Sequence, residues 1–331
     1  ARLLFEACLM GIRIRYGTRD DIDALVEVEC SEVDSWYHFS SEGRGEPASY
    51  DELTSIERMM HGGPWMDRQA LVKYWRNIER LGIIPLVAEL DGKVTGHLDV
   101  VIADEQPLGR FLYLDVLMVH KAYRRRGVAT ALIREAERLA RTGKVGFMMV
   151  QPQQYEGPSG STYRSCGFEK AFDTYQLETS VGCPEPLSGL RLVSIPQIQE
   201  APIKTHAMIC GWYNISAKTW DYGVNTDPEF LRFFSCHELA LSALTDRSTY
   251  FFHLQQNRFD HSTGTLSLWA PLPLDHKETQ DVFQAAKTAA SWLGIRKMTT
   301  KTIESFLAVL EKCGFLIKSK EEPYLTKTVS P

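Results

Sequence analysis

Residues 111–142, FLYLDVLMVHKAYRRRGVATALIREAERLART, constrain this chain more than any other stretch. Phe111 to Val119 is a mostly apolar run of residue types that strands favour. A basic turn follows from His120 to Arg126. Gly127 then launches a helix on which Val128, Ala131, Leu132, Ala136 and Leu139 share one face. A strand that passes through a tight turn into a helix points several backbone N–H groups at one spot. Those first-turn groups have no partner inside the helix and sit at the positive end of its dipole. Gly127 and Ala129 let a ligand come close to the backbone, and Arg124, Arg125 and Arg126 add positive charge. Such a turn suits a dianion such as a pyrophosphate. It has neither the Gly-Lys-Ser/Thr ending of a P-loop nor the G-x-G-x-x-G of a dinucleotide turn. The plainer reading is a solvated basic turn before an ordinary surface helix.

The spacing Arg124-x-x-Gly127-x-Ala129, preceded by Val119, resembles the acyl-CoA signature of the GNAT superfamily of N-acyltransferases. The surroundings agree. Ile12–Thr18 reads as a strand, and Thr18 with Asp21 caps a helix from Arg19 to about Glu32. A second helix reads from Met66 or Asp67 to about Leu81. Pro85–Ala103 reads as a hairpin turning at Asp91-Gly92. Lys144–Gln151 is a continuous apolar strand that should lie parallel to 111–119 in a βαβ unit. Residues 159–168 read as a short helix ended by Gly167, and Ala171–Glu178 as a closing strand. Tyr163 to Gly167-Phe168 also resembles the GNAT pattern at its matching place, so the resemblance covers roughly 12–179.

The remainder repeats this order. Leu190–Ile195 reads as a strand and Gln197–Trp212 as a helix. Glu238–Leu244, Thr249–Gln255 and Thr265–Ala270 read as strands, Thr279–Leu293 and Ile303–Cys313 as helices, and Phe315–Val329 as a last strand. Tyr163-Arg-Ser-Cys166-Gly167-Phe168 aligns with Leu310-Glu-Lys-Cys313-Gly314-Phe315. The expected fold class is α/β with a mixed α+β sheet: two tandem GNAT-like domains, each a mostly antiparallel sheet with a central βαβ unit and helices on both faces. The boundaries are 10–180, a Gly/Pro-rich linker at 181–189, and a degenerate copy at 190–331. Met10-Gly11 reads as the start of the fold, with the preceding segment an extension. The second copy lacks the Arg-x-x-Gly-x-Ala turn. Asp275 and Glu278 have capping-box spacing and Asp281 adds charge, so that helix start is filled by its own carboxylates. One acyl-CoA site is expected, in the first copy.

The resemblance implies roles residue by residue. The backbone of Leu117, Met118 and Val119 runs alongside the pantetheine arm, and the N–H groups of Arg124, Arg125, Arg126, Gly127, Val128, Ala129 and Thr130 hold the pyrophosphate. An N–H near Met118 polarises the thioester carbonyl, and Tyr163 sits near the CoA sulfur. A tyrosine, with pKa about 10, is protonated at neutral pH and can give its proton to the departing thiolate; the alternative is a tyrosine packed on the core. Strand alternation puts Asp115 on the same face as Leu117 and Val119, as a base or a structural carboxylate. Glu29 and His97 are further candidates for the base. The region 33–83 is aromatic and acidic, with Glu27, Glu29, Glu32, Asp34, Glu42 and Glu46 in or just before it, which would suit a cationic amine.

A net charge of −5 over 331 residues argues against a general nucleic-acid role. Seven dispersed cysteines, with no C-x-x-C pair, fit reduced thiols in a cytoplasmic protein better than disulfides or zinc. No apolar run reaches the roughly 18 residues of a membrane span. The leading expectation is an N-acetyltransferase using acetyl-CoA as co-substrate and no metal, with a small-molecule or peptidyl amine as acceptor, no nucleic-acid or membrane partner, and a monomer over a homodimer. A non-catalytic acyl-CoA sensor and a transferase of a different acyl group are the alternatives.

Overall fold

A computed structural model of the chain describes residues 7–9, 11–40, 43–182, 189–195, 202, 204–212, 215–221, 235–257 and 260–329. The first half opens with β1 (Ala7–Leu9) and β2 (Ile12–Tyr16), which pair antiparallel, so 7–9 is part of the sheet and not an appendage. Then come α1 (Ile22–Cys30), a two-stranded ribbon of β3 (Tyr37–Ser40) and β4 (Gly43–Pro47), α2 (Ser55–Met60) and α3 (Arg68–Arg80). β5 (Ile83–Leu90) and β6 (Lys93–Glu105) form the expected hairpin. Asp91 at φ 55° and Gly92 at φ 74° give its two-residue turn the left-handed backbone that matches strand twist. β7 (Gly109–Val119) extends this meander, and α4 (Val128–Thr142) crosses to β8 (Phe147–Val150), which lies parallel to β7. α5 (Pro158–Ser165) and β9 (Glu169–Ser180) close the half.

The second half repeats the plan. β10 (Arg191–Ser194) pairs with β12 (Ser235–Leu244) as β2 pairs with β5, and β13 (Thr249–Asn257) and β14 (Thr263–Pro271) continue the meander. α7 (His276–Trp292) crosses to β15 (Lys297–Ile303), parallel to β14. α8 (Glu304–Lys312) and β16 (Leu316–Thr328) follow. The aligned Cys-Gly-Phe segments end α5 and α8 identically. Phe168 N–H reaches Tyr163 O and Phe315 N–H reaches Leu310 O, both at 3.1 Å, with Gly167 and Gly314 at φ 86° and 85°.

Two features depart from expectation. Where a helix was expected over 197–212, residues His206–Cys210 form a strand, β11, and α6 (Ser216–Trp220) follows it. The rest of that segment, like linker residues 183–188, lies largely outside the described residues. Secondly, the two halves share one sheet and exchange their last strands. β9 pairs with β15 of the second half, Ser180 opposite Lys297, while β16 pairs with β8 of the first, Leu325 opposite Val150. β9 and β16 pair with each other between them.

α4 buries Val128, Ala131, Leu132, Ala136 and Leu139 as its periodicity demands, in a cluster with Leu98, Val100, Leu112, Leu114 and Tyr163. The opposite face carries a cluster that runs from Leu25, Tyr74 and Trp75 through Phe111 and Tyr113 to Trp212, Trp269 and Tyr324. This apolar core passes without a break from one half to the other. No described helix is long and apolar enough to cross a membrane.

Candidate functional site

The turn between β7 and α4 is built from backbone. Arg125 has φ 62° and Gly127 φ 86°, so two residues of the turn take the left-handed conformation. The first helical bond is Ala131 N–H to Gly127 O at 3.0 Å. The N–H groups of Val128, Ala129 and Thr130 therefore have no acceptor inside the helix, and Gly127 supplies no capping side chain. Val128 is buried, whereas Arg124, Arg125 and Arg126 are exposed. The arginines brace the turn as well as charging it. Arg124 pairs with Glu32 and donates to Val119 O at 3.2 Å, and Arg126 reaches Asp91 at 3.1 Å. Lys121 pairs with Asp34. Two of the acids expected to line an acceptor wall, Glu32 and Asp34, thus hold this turn. Glu27 and Glu46 are exposed, and Glu42 lies outside the described residues.

β7 and β8 pair only from Phe111–Phe147 to Tyr113–Met149 and then part. Beyond Tyr113 one edge of β7 is open. His120 N–H donates to Thr95 O at 2.9 Å, so alternation turns the polar groups of Met118 toward β6 and those of Leu117 and Val119 toward the open edge. The expected N–H donor near Met118 is accordingly that of Leu117 or Val119. Gly96 on β6 matters to this geometry: a Cβ there would lie 2.8 Å from Met118 O and 3.0 Å from Val128 Cγ1. Only glycine lets the strand end and the helix start close together.

A bulge changes the reading of Asp115. Val116 pairs with Asp99 and Leu114 with Val100, leaving Asp115 as the extra residue. The bulge shifts the alternation by one. Leu117 and Val119 face the α4 cluster, while Asp115 faces the other way, so it does not share their face as simple alternation implied. Its carboxylate pairs with Lys218, on α6 of the second half, and the two side chains are 2% and 3% exposed. Around them lies a buried polar group: Tyr74 donates to Asp99 at 2.9 Å, and His97 meets Glu29 at 2.6 Å. Burial holds Asp99 above the usual carboxylate range. For His97, burial acts downward, yet Glu29 outweighs it and the net direction is up. Burial lowers the Lys218 ammonium to about 8 against the upward pull of Asp99 and Asp221.

Tyr163 is 6% exposed and packs edge-on against Phe168, ring centroids 5.6 Å apart. It lies in the cluster beneath α4, the side Leu117 and Val119 face. Burial pushes its phenol above the usual value. Cys166 beside it is partly buried with Cys313 its repeat counterpart.

A cavity of about 960 Å³ opens between the halves. Gly62 to Trp65, Tyr113, Asp115, Val116 and Gln151 wall it from the first half, and Lys218, His253, Gln255 and Lys301 from the second. Of the aromatic region 33–83, Trp65 reaches this cavity, whereas Trp36, Tyr37, Phe39 and His61 stack on one another. Lys218 was not visible in the sequence, since no motif surrounds it and its partner lies 103 positions away. Among the described residues no group of His, Cys, Asp and Glu is arranged to hold a metal ion.

The second half has the same parting of strands, but it is filled. β14 and β15 pair only over Thr263–Thr265 and Lys297–Thr299. β11 lies in the wedge: Ala207 pairs with Ala270 and Met208 with Trp269, while Thr302 donates to Ile209 O at 2.7 Å and Gly211 N–H to Lys301 O at 2.7 Å. At the start of α7, Asp275 accepts the N–H groups of Lys277 and Glu278 at 2.9 and 3.0 Å. Glu278 does not complete the box; it accepts from Thr245 at 2.9 Å.

Residues 50–168 match the model of the acetyltransferase (GNAT) family. No curated protein matches the sequence. Among solved structures, a GCN5-related N-acetyltransferase from Anabaena variabilis is similar over 96% of this chain and 73% of its own, at 13% identity and TM-score 0.56. One from Kribbella flavida covers 96% and 71%, at 12% identity and TM-score 0.55. One from Sphaerobacter thermophilus covers 98% of both chains, at 13% identity and TM-score 0.50. At such identities the likeness is one of fold, and it spans both halves. Residues 50–168 therefore match the GNAT acetyltransferase family, and the chain shares the fold of solved GCN5-related N-acetyltransferases across both halves.

Proposed function

We propose that this chain is an acetyl-CoA-dependent N-acetyltransferase with one acyl-CoA site, in its first half, acting on a primary amine of a small molecule or peptide. The observation that carries this is the open edge of β7, which leads straight into a helix start with three unengaged N–H groups and no carboxylate cap. A thioester substrate fits that path. The N–H groups of Arg124 through Thr130 take its pyrophosphate, and the polar backbone of Leu117 and Val119 takes the pantetheine arm. Acetyl-CoA supplies the activated acyl carbon.

The N–H of Leu117, next to the bulge, polarises the thioester carbonyl. Tyr163 gives a proton or a hydrogen bond to the leaving thiolate. Its raised pKa keeps it protonated and makes the hydrogen bond the larger part of that role. Asp115 stands across the strand, on the side of the inter-half cavity, as counter-ion for the acceptor ammonium. The reading places the protein in the cytoplasm as a monomer, since exchanged strands give each half a partner within the chain.

Calorimetric titration of the full chain with acetyl-CoA tests this. One site per chain is expected. Two sites would mean that β11 does not close the second wedge. An absence of binding would overturn the transferase reading.

A further inference from the structure

We propose that Lys218, supplied by the second half, is the group that takes the proton from the acceptor amine in the first half's site. The inference rests on the transferase reading above. Its geometric basis is the route by which α6 enters the site. Glu105 of β6 accepts the N–H groups of Ser216 and Ala217, both at 3.0 Å, and the Trp269 indole donates to Ser216 Oγ at 2.8 Å. These bonds fix the start of α6 against both halves. Two residues after Ser216, Lys218 meets Asp115 at the bulge of β7 and lines the cavity between the halves. The amino group thus stands at the bulge of β7, in a cavity that Asp115 and Val116 also line.

The groups facing Lys218 come from four elements. Asp115 comes from β7, Asp99 from β6, the Tyr74 ring from α3 with its centroid 5.9 Å away, and Asp221 from just past α6. Behind Asp99 stand His97 and Glu29, 2.6 Å apart. Such a site accepts a cation formed on Lys218.

Magnitudes favour Lys218 over Asp115 as the base. An alkylammonium has pKa about 10 and an ordinary aspartate about 4, so transfer to a carboxylate runs roughly six orders of magnitude uphill. Transfer to a lysine lowered to about 8 runs only about two orders uphill. Asp115 holds the arriving ammonium, and neutral Lys218 takes one proton from it. The freed nitrogen lone pair forms the C–N bond to the thioester carbon. The C–S bond then breaks and its electron pair leaves on the thiolate. The nitrogen of the collapsing adduct gives its second N–H proton to the departing thiolate, whose sulfur the Tyr163 hydroxyl hydrogen-bonds. Lys218, now an ammonium between Asp115 and Asp99, returns its proton to water once the amide product leaves.

The test needs no knowledge of the natural acceptor. The full chain is pulse-labelled with trace acetic anhydride from pH 6 to 10, and the lysine-bearing peptides are quantified by mass spectrometry. Lys218 is expected to reach half its maximal labelling near pH 8, about two units below the ordinary lysine value of about 10. Half-labelling near pH 10, or no labelling at any pH, would overturn the proposal. Lys218→Arg separates proton transfer from mere charge, because arginine keeps the pair with Asp115 but cannot release a proton. With putrescine, glucosamine and tyramine as acceptors, any amine the wild type acetylates should be turned over at least 100-fold more slowly by Lys218→Arg, with acetyl-CoA binding and Tm retained. Arginine restoring turnover would sink the idea. Failure of acetyl-CoA to bind the wild type would instead strike the transferase reading, and the labelling profile would remain as the measure of Lys218.

Discussion

The two βαβ units of this chain start from one plan and end in opposite states. In each, a strand parts from its parallel neighbour after a few residues and runs into a crossover helix. In the first unit the wedge stays open on the β7 side, and α4 begins at a left-handed glycine with no capping side chain. In the second, β11 sits in the wedge and Asp275 fills the helix start. A binding site of this kind is made of unsatisfied backbone. Backbone of that kind is stable only with a ligand or with water, and an element of the chain's own removes the need for either. The second unit is satisfied internally, and what it brings to the cavity between the halves is side chains such as Lys218.

The strongest way to break the comparison is to make the first unit resemble the second. Gly127→Glu places a carboxylate at the start of α4, and the φ of 86° there already favours glycine. The new charge competes for the N–H groups that the proposed site offers to a pyrophosphate, and repels that anion. Acetyl-CoA binding by calorimetry should weaken at least several hundred-fold, roughly 4 kcal/mol. Unchanged affinity would show that the turn is not the anion site.

A second test concerns the join between the units. Glu105 is 2% exposed, and burial raises its pKa to about 7 although Ser216 and Ala217 donate to it. In the unfolded chain it titrates near 4.5. Between these values the folded state binds the extra proton, so stability is full below about pH 4.5 and falls as pH rises through about 7. The shift corresponds to a change on the order of 3 kcal/mol. Denaturant unfolding from pH 5 to 8 should show this loss, and Glu105→Gln should flatten it. A profile identical in both proteins would mean that Glu105 is not held protonated by its burial.

Local chemistry made much of this fold legible in the sequence. Asp91-Gly92 announced a hairpin, Gly127 a helix start, and the paired Cys-Gly-Phe segments two equivalent helix ends, because each depends on a few adjacent dihedrals. What stayed hidden was pairing at long range. The apolar run of Ala207, Met208, Ile209 and Cys210 has no period to tell helix from buried strand, so a helix expected there gives way to β11. The exchange of β9 and β16 involves strands whose patterns would fit either neighbour. The bulge at Asp115 moved that residue to the face opposite Leu117, which alternation alone cannot foresee. The turn from β7 into α4 was readable and the wall of the inter-half cavity was not, since Lys218 reaches it only through tertiary packing.

The mildest test asks whether the second unit is closed once or twice over. Asp275→Ala removes the side chain that caps α7, and a lost cap costs about 1 kcal/mol. If that carboxylate were the sole barrier, its removal would expose a helix start like that of α4 and a second acetyl-CoA would bind. The geometry argues otherwise. Met208 and Ala207 still pair with Trp269 and Ala270, on the edge that would have to receive a pantetheine arm, and Ala207 to Cys210 are fully buried. Displacing them would strip the sheet of a strand and open the core shared by both halves. Asp275→Ala should therefore lower the unfolding midpoint slightly and leave the stoichiometry at one. A second binding event in that variant would show that β11 yields to a ligand, and that the cap is what silences the second unit.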